Sequence, residues 1–269
     1  MDKMTMHKEF LDPVSELNWS TDGVTQEGAT AALVYRYKEN GTYCRILRFP
    51  EGFHEGRSAE ENQKACCFHD FDEVVYIATG GAINRRLGYR YNPGSIAYFP
   101  KGVNHGPLET PFGALLVEFR HYVDRPSAPA DKNITTSKEF LDPLSEIQWS
   151  REGVTQEGAA ACLVYRDEES GTYCRILRFP EGFHEGRTPE ENQKACCFHD
   201  FDEIVYVMSG GVINRRLGYR YPAGSIAVFP AGVSHGPLEA PFGALLLEFR
   251  HYRNGATKPE SETPCCCCQ

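Results

Sequence analysis

Apolar residues fall in short runs that alternate with polar ones, and few recur at the three-or-four spacing of an amphipathic helix. ALVYRY, TYCRILRF, QKACCF, EVVYIAT, RRLGYRY, SIAYF and ALLVEFRHY are rich in β-branched and aromatic residues. Gly80-Gly81 and Asn92-Pro93-Gly94 punctuate them with the turn chemistry of hairpins. Such runs predict strands with one face buried. Only FLDPVSEL and SAEEN carry helical character. About seven strands in roughly 115 residues predict an antiparallel sandwich or barrel able to enclose a small pocket.

The whole pattern occurs twice. KEFLDPVSELNW at Lys8 returns as KEFLDPLSEIQW at Lys138, and GTYCRILRFPEGFHEGR at Gly41 returns at Gly171. FGALLVEFRHY at Phe112 returns as FGALLLEFRHY at Phe242, at the same offset of 130 and without a gap. Roughly four in five residues match between the copies, which marks a tandem duplication. The sequence therefore divides into a first domain at 1–122, a linker at 123–137, a second domain at 138–252 and a flexible Cys-rich tail at 253–269. The linker assignment rests on the Pro, Ser, Asp and Asn content of VDRPSAPADKNITTS.

With 41% hydrophobic and 24% charged residues the chain can bury a real core, which excludes a disordered protein. A net charge of −9 excludes nucleic acid as a partner held by phosphate neutralisation. No run approaches the roughly 18 apolar residues of a transmembrane segment, and the N-terminus lacks a secretory signal. The expectation is a soluble, unprocessed, cytoplasmic protein with reduced thiols.

ACCFHDFDEVVY places His69 ahead of Glu73, and FPKGVNHGP brings His105 after a Pro-x-Gly turn; His199, Glu203 and His235 are their counterparts. Two imidazoles and a carboxylate with open positions suit a divalent transition metal, iron(II) above all, with zinc or manganese as alternatives. If the preceding run is a strand, Cys67 and His69 share a face.

These residues resemble the two motifs of the cupin superfamily. The first is matched by His69-x3-Glu73-x6-Gly80 and His199-x3-Glu203-x6-Gly210, the second by Pro100-x-Gly102-x2-His105 and Pro230-x-Gly232-x2-His235. The resemblance implies an all-β chain of two tandem antiparallel cupin (jelly-roll) barrels. It implies one metal per barrel, with the two domains packed on each other as in bicupins and a homo-oligomer left open. Cys67 and Cys197 stand where the family usually has its first histidine. DFDEVVY and FPKGVNHGP are also similar, locally, to the metal-binding region of homogentisate-type ring-cleaving dioxygenases, which implies iron(II) and dioxygen chemistry.

Other residues carry two readings each. His54, with its counterpart His184, is either a rim residue or an acid-base group near the metal. Cys67 and Cys197 are either soft metal ligands or small buried hydrophobes. Arg57, Arg85, Arg86 and Arg90 either orient an acidic substrate or are solvated, Tyr76 and Tyr89 are candidate pocket residues, and His121 and His251 read as structural. Cys265 to Cys268 with Gln269 have the outline of a prenylation signal, which leaves lipid anchoring open. The expected activity is a metal-dependent dioxygenase acting on a small enolic or phenolic substrate. A cupin-type lyase or isomerase, and a non-catalytic metal- or ligand-binding protein, are the alternatives.

Overall fold

The computed structural model of the chain describes residues 8–127 and 133–253, apart from Glu152, Thr155, Arg187 and Cys196. The prenylation outline at the C-terminus lies outside the described residues. The structure is almost wholly antiparallel β, as the alternation predicts. Among the described residues no helix is long and apolar enough to cross a membrane.

In the first repeat, one six-stranded sheet runs Trp19–Ser20, Thr30–Arg36, Tyr43–Phe49, Ala114–His121, Asp72–Thr79 and Ile96–Phe99. A smaller sheet runs Phe53–His54, Glu109–Thr110, Ala82–Asn84 and Tyr89–Tyr91. The inward faces of both enclose a core containing Leu47, Phe49, Phe53, Ile77, Tyr91 and Phe99. In the second repeat the corresponding strands are longer and continuous, Tyr173–His184, Asp202–Asn214 and Leu238–His251, because their bulges keep pairing. The last glycine of the first motif has a steric reason. Gly80 has φ +81°, and a Cβ there would lie 1.9 Å from the Gly113 carbonyl oxygen.

Packing boundaries do not coincide with the repeat boundaries. The compact units are Leu17–Ile147, and Met1–Glu16 together with Gln148–Gln269. The KEFLDP segment before each repeat therefore completes the barrel of the other. Phe10–Leu11 is a strand paired to Ala227 and Ile226. Leu141 exchanges both backbone hydrogen bonds with Ile96, at 2.8 and 2.9 Å. Phe10 and Phe140 are fully buried in the cores they join, each a burial of about 1.5–3 kcal/mol.

The 123–137 segment makes definite contacts where it is described: Asn104 donates to the Asn133 carbonyl at 2.8 Å, Thr135 donates back to Asn104 at 3.0 Å, and Arg125 pairs with buried Asp72. One expectation is corrected: QKACCF is not a strand but irregular chain that leaves the 3-10 turn Glu61–Gln63 and makes a single bridge, Cys67 to His105. FLDPVSEL yields one helical turn, Pro13–Glu16, started by Asp12, whose carboxylate accepts from Val14 N at 3.0 Å and Ser15 Oγ at 2.6 Å.

Candidate metal centre

Glu73 opens the strand Asp72–Thr79, where its neighbours across the sheet are Arg120 on one side and Phe99 on the other. Directly opposed residues of an antiparallel pair share a face, so all three project to the barrel interior. His69 and His105 come from the two irregular segments that flank this strand's entry. Those segments are tied together: the His105 carbonyl accepts from Cys66 N and Cys67 N, and Gly102 N donates to the His69 carbonyl.

The three side chains converge. His69 Nε2 lies 2.9 Å from His105 Nε2 and 3.2 Å from Glu73 Oε2, and His105 Nε2 lies 3.6 Å from the same oxygen. In the second barrel His199 and His235 are 2.9 Å apart, with Glu203 Oε2 at 3.4 and 3.5 Å. Bonds of about 2.1 Å place donor atoms about 3.0 Å apart at a right angle and about 3.4 Å apart at a tetrahedral one. The imidazole pair has the first spacing, and the carboxylate distances lie around the second.

Burial, reinforced by the charge of the neighbouring His69, holds His105 well below the usual imidazole range, and the same causes hold His235 down at about 3. Neutral imidazole is the metal-binding form. Two nitrogens and one carboxylate oxygen aimed at one point fit a divalent cation. Among the described residues the same two trios stand out as convergent His/Glu groups.

Stacking fixes the rings. Phe71 lies parallel to His69 at 4.3 Å between centroids and Phe99 parallel to His105 at 3.7 Å. Phe201 and Phe229 do the same for His199 and His235, at 4.1 and 3.8 Å. His199 is further held through Nδ1 by the Phe201 carbonyl at 2.9 Å, whereas the Nδ1 atoms of His69, His105 and His235 are buried without a partner. Arg120 holds the distal oxygen of Glu73 at 3.4 Å and Glu118 at 2.7 Å, and lies over the Phe71 ring. Glu118 also pairs with Arg45; burial opposes its charge, but Arg120 and Arg45 outweigh it and hold the carboxyl well below the usual range.

The His105 turn is clamped by the segment that precedes the second repeat. The Glu139 carboxylate accepts from Gly106 N at 3.0 Å, Thr135 Oγ1 at 2.7 Å, Asn84 Nδ2 at 2.8 Å and Arg86 at 3.0 Å, while Arg86 also donates to the Gly106 carbonyl. Glu9 clamps the His235 turn through Gly236 N, Asn214 and Arg216. Arg86 is thus a structural residue bound up in this clamp.

Above each trio lies a cavity, of about 560 Å³ in the first barrel and 280 Å³ in the second. Its walls include Leu47, Val75, Leu116, Phe140 and the charged pair Glu118 and Arg120. His54 and His184 do not line these cavities. Each ends or terminates a strand pointing outward, exposed, with Nδ1 on the carbonyl of Gly56 or Gly186. Their neighbours Glu55 and Glu185 point in and do line them. Burial raises the Glu55 carboxyl to about 7. Glu55, Arg120 and Glu118 are the pocket residues that sequence reasoning missed.

Cys67 lies outside the trio. Its Sγ is 3.7 Å from Cys66 Sγ and faces Glu55, and Cys197 Sγ is 3.8 Å from Glu185 Oε2. The shared face with His69 fails because no strand forms there. Arg57 borders an outer cavity, Arg85 is half-exposed on Glu109, and Arg90 and Tyr89 are exposed. Tyr76, His121 and His251 are buried away from the cavity walls.

No family model matches the chain, and no curated protein sequence matches it. Solved structures do. A candidate dioxygenase from Nostoc punctiforme is similar at 15% identity with a TM-score of 0.62, over 95% of this chain and 87% of that one. A cupin 2 conserved barrel domain protein from Leptotrichia buccalis is similar at 14% identity with a TM-score of 0.53, over 84% and 90%. Identities this low speak to fold, and the fold they share with this chain is the cupin barrel, present here in two tandem copies.

Proposed function

We propose that the chain is a metal-dependent enzyme that holds one iron(II) in each barrel and directs dioxygen into a small enolic or phenolic acid. The observation that carries this reading is the pair of convergent His-Glu-His trios, each lining a cavity of its barrel. His69, Glu73 and His105 would hold the first ion, and His199, Glu203 and His235 the second. Bound there, iron(II) supplies Lewis acidity toward an enolate and electrons toward dioxygen, which zinc does not.

The protein's own residues do the rest. Phe71 and Phe99 keep the imidazoles rigid, and Arg120 orients Glu73 so that one oxygen faces the histidines. The same guanidinium borders the cavity and gives an acidic substrate a cation to face. Leu47, Val75, Leu116 and Phe140 exclude bulk water. Glu55, in its ionised form, accepts the hydroxyl proton of an entering enol or phenol.

The buried Glu55 carboxyl also favours a second reading, a lyase or isomerase in which Lewis acid and general base suffice without oxygen. The test is metal analysis of anaerobically purified protein, then oxygen uptake against enolic, catecholic and thiol substrates. Iron with substrate-dependent oxygen uptake supports the dioxygenase. Turnover without oxygen uptake selects the lyase or isomerase, and metal binding without turnover of any substrate selects a binding protein.

A further inference from the structure

Beside the His-Glu-His centre of the first barrel, a second set of potential ligands lies in the wall between its cavity and an outer one. Cys66 and Cys67 are adjacent in sequence, and in an extended strand their side chains would diverge. The irregular chain here turns them together instead, to 3.7 Å between sulfurs. Cys66 is exposed and Cys67 half-buried, so the pair is reached from outside. A Glu55 carboxylate oxygen completes the set, all three ligand atoms lying within 4.8 Å of one another.

The group is built against the backbone of the His105 turn. A Cβ placed on Gly106 would sit 3.0 Å from Glu55 Oε2 and 3.6 Å from Cys67 Sγ, so glycine leaves room for both. Glu55 is oriented by Leu108 N, which donates to the same oxygen at 2.6 Å. The second barrel repeats the arrangement as far as it is described: Glu185 Oε2 accepts from Leu238 N at 2.6 Å and lies 3.8 Å from Cys197 Sγ. Glu55, Cys66 and Cys67 also border both the metal cavity and an outer cavity, so they form the wall between the two.

We propose that Cys66, Cys67 and Glu55 form a second metal site in the barrel, selective for a thiophilic divalent ion of the zinc class. Two bonds of about 2.3 Å from sulfur to zinc at a tetrahedral angle separate the sulfurs by about 3.8 Å, close to the spacing found. Thiolates select softer ions than the imidazole-carboxylate trio does, so the two sites differ in the ion they take. Binding releases the two thiol protons to solvent and leaves the fourth position open toward the outer cavity. The proposal leaves the trio's ligands untouched but shares Glu55 with the acid-base role of the proposed function, so its test reads cadmium binding and not turnover.

The test uses cadmium as probe, since cadmium–thiolate bonds give charge-transfer absorption and cadmium–imidazole bonds do not. The full-length chain carries serine at Cys196, Cys197 and Cys265 to Cys268, which silences the second barrel's pair and the tail. Titration should then give one equivalent of the thiolate band, displaced by phenylarsine oxide, which bridges paired thiols. The band should persist in His69→Ala/His105→Ala. It should vanish in Cys66→Ser/Cys67→Ser, halve in Cys66→Ser alone, and need at least tenfold more cadmium in Glu55→Gln, with folding followed by circular dichroism. Absence of the band in the parent, its survival without both cysteines, or its loss in the histidine variant, which would mean one shared centre, each overturns the proposal.

Discussion

The lining of the metal cavity and the packing behind it have diverged differently between the two copies. Each residue bordering the first cavity has the same residue as its counterpart, from Gln26 and Gln156 through Glu55 and Glu185 to Arg120 and Arg250, and Phe140 corresponds to Phe10. Five buried apolar residues of the same sheets have changed, among many that have not: Ala32 to Cys162, Val74 to Ile204, Ile77 to Val207, Ala82 to Val212 and Val117 to Leu247. A core needs volume and apolarity, so it drifts among similar hydrophobes at little cost. A cavity that performs chemistry needs particular atoms at particular places. Matched histidines alone would say little in copies this similar, but a whole unchanged lining supports the proposal that both barrels serve one task.

The largest effect expected from breaking the lining is loss of metal. Protein loaded with iron(II) should carry close to two ions per chain; His69→Ala should bring this to about one, and His69→Ala with His199→Ala to near zero. Elemental analysis after gel filtration reads the number, and full retention in the double variant would refute the ligand assignment.

Next comes the segment exchanged between barrels. Phe140→Ala should destabilise the first barrel by about 3–5 kcal/mol, as truncation of a fully buried phenylalanine does. Glu139→Gln should cost about 3 kcal/mol, because it leaves buried Arg86 without its carboxylate. Denaturant unfolding reads both, and Glu139→Gln should weaken metal at the first centre while sparing the second, with Glu9→Gln doing the reverse.

Glu55 gives a pH signature. Its carboxyl ionises near pH 7 in the folded chain and near the ordinary glutamate value of 4.5 when unfolded. Between these the native state holds a proton that the unfolded state lacks, so stability falls as pH rises through the window. In metal-free protein Glu55→Gln should flatten this fall, by no more than about 3 kcal/mol. Equal pH slopes for both proteins would show that the carboxyl is not so raised.

The smallest effect sharpens the comparison from the other side. Installing second-copy residues in the first core, Val74→Ile with Ile77→Val, should change stability by less than about 1.5 kcal/mol and leave metal content untouched. A loss of metal there would mean that core and lining are not separable.

Much of this was legible from the chain. Alternation marked most strands, and the repeat at offset 130 was plain. The convergent trio could be found because His69 and Glu73 share one short motif and His105 sits in another, each anchored by turn glycines. Glu55 was missed because FPEGFHEGR offers a histidine beside it. Only the pairing of Phe53–His54 with Glu109–Thr110 shows that His54 faces out, and only the turn after it aims Glu55 inward. The run QKACCF looked like a strand by composition, yet its backbone bonds go to the His105 turn and bring two adjacent sulfurs together.

What the sequence by itself determined was local: which runs extend, where they turn, that the unit is doubled, and which two histidines and glutamate belong to one centre. Which KEFLDP segment completes which barrel was beyond it. The two segments are the same six residues, so either would satisfy Arg86 or Arg216 and fill either core. Tertiary structure decided that choice, assigning residues 8–16 to the second barrel and 138–147 to the first, because pairing over more than two hundred residues depends on where the rest of the chain has carried each edge strand.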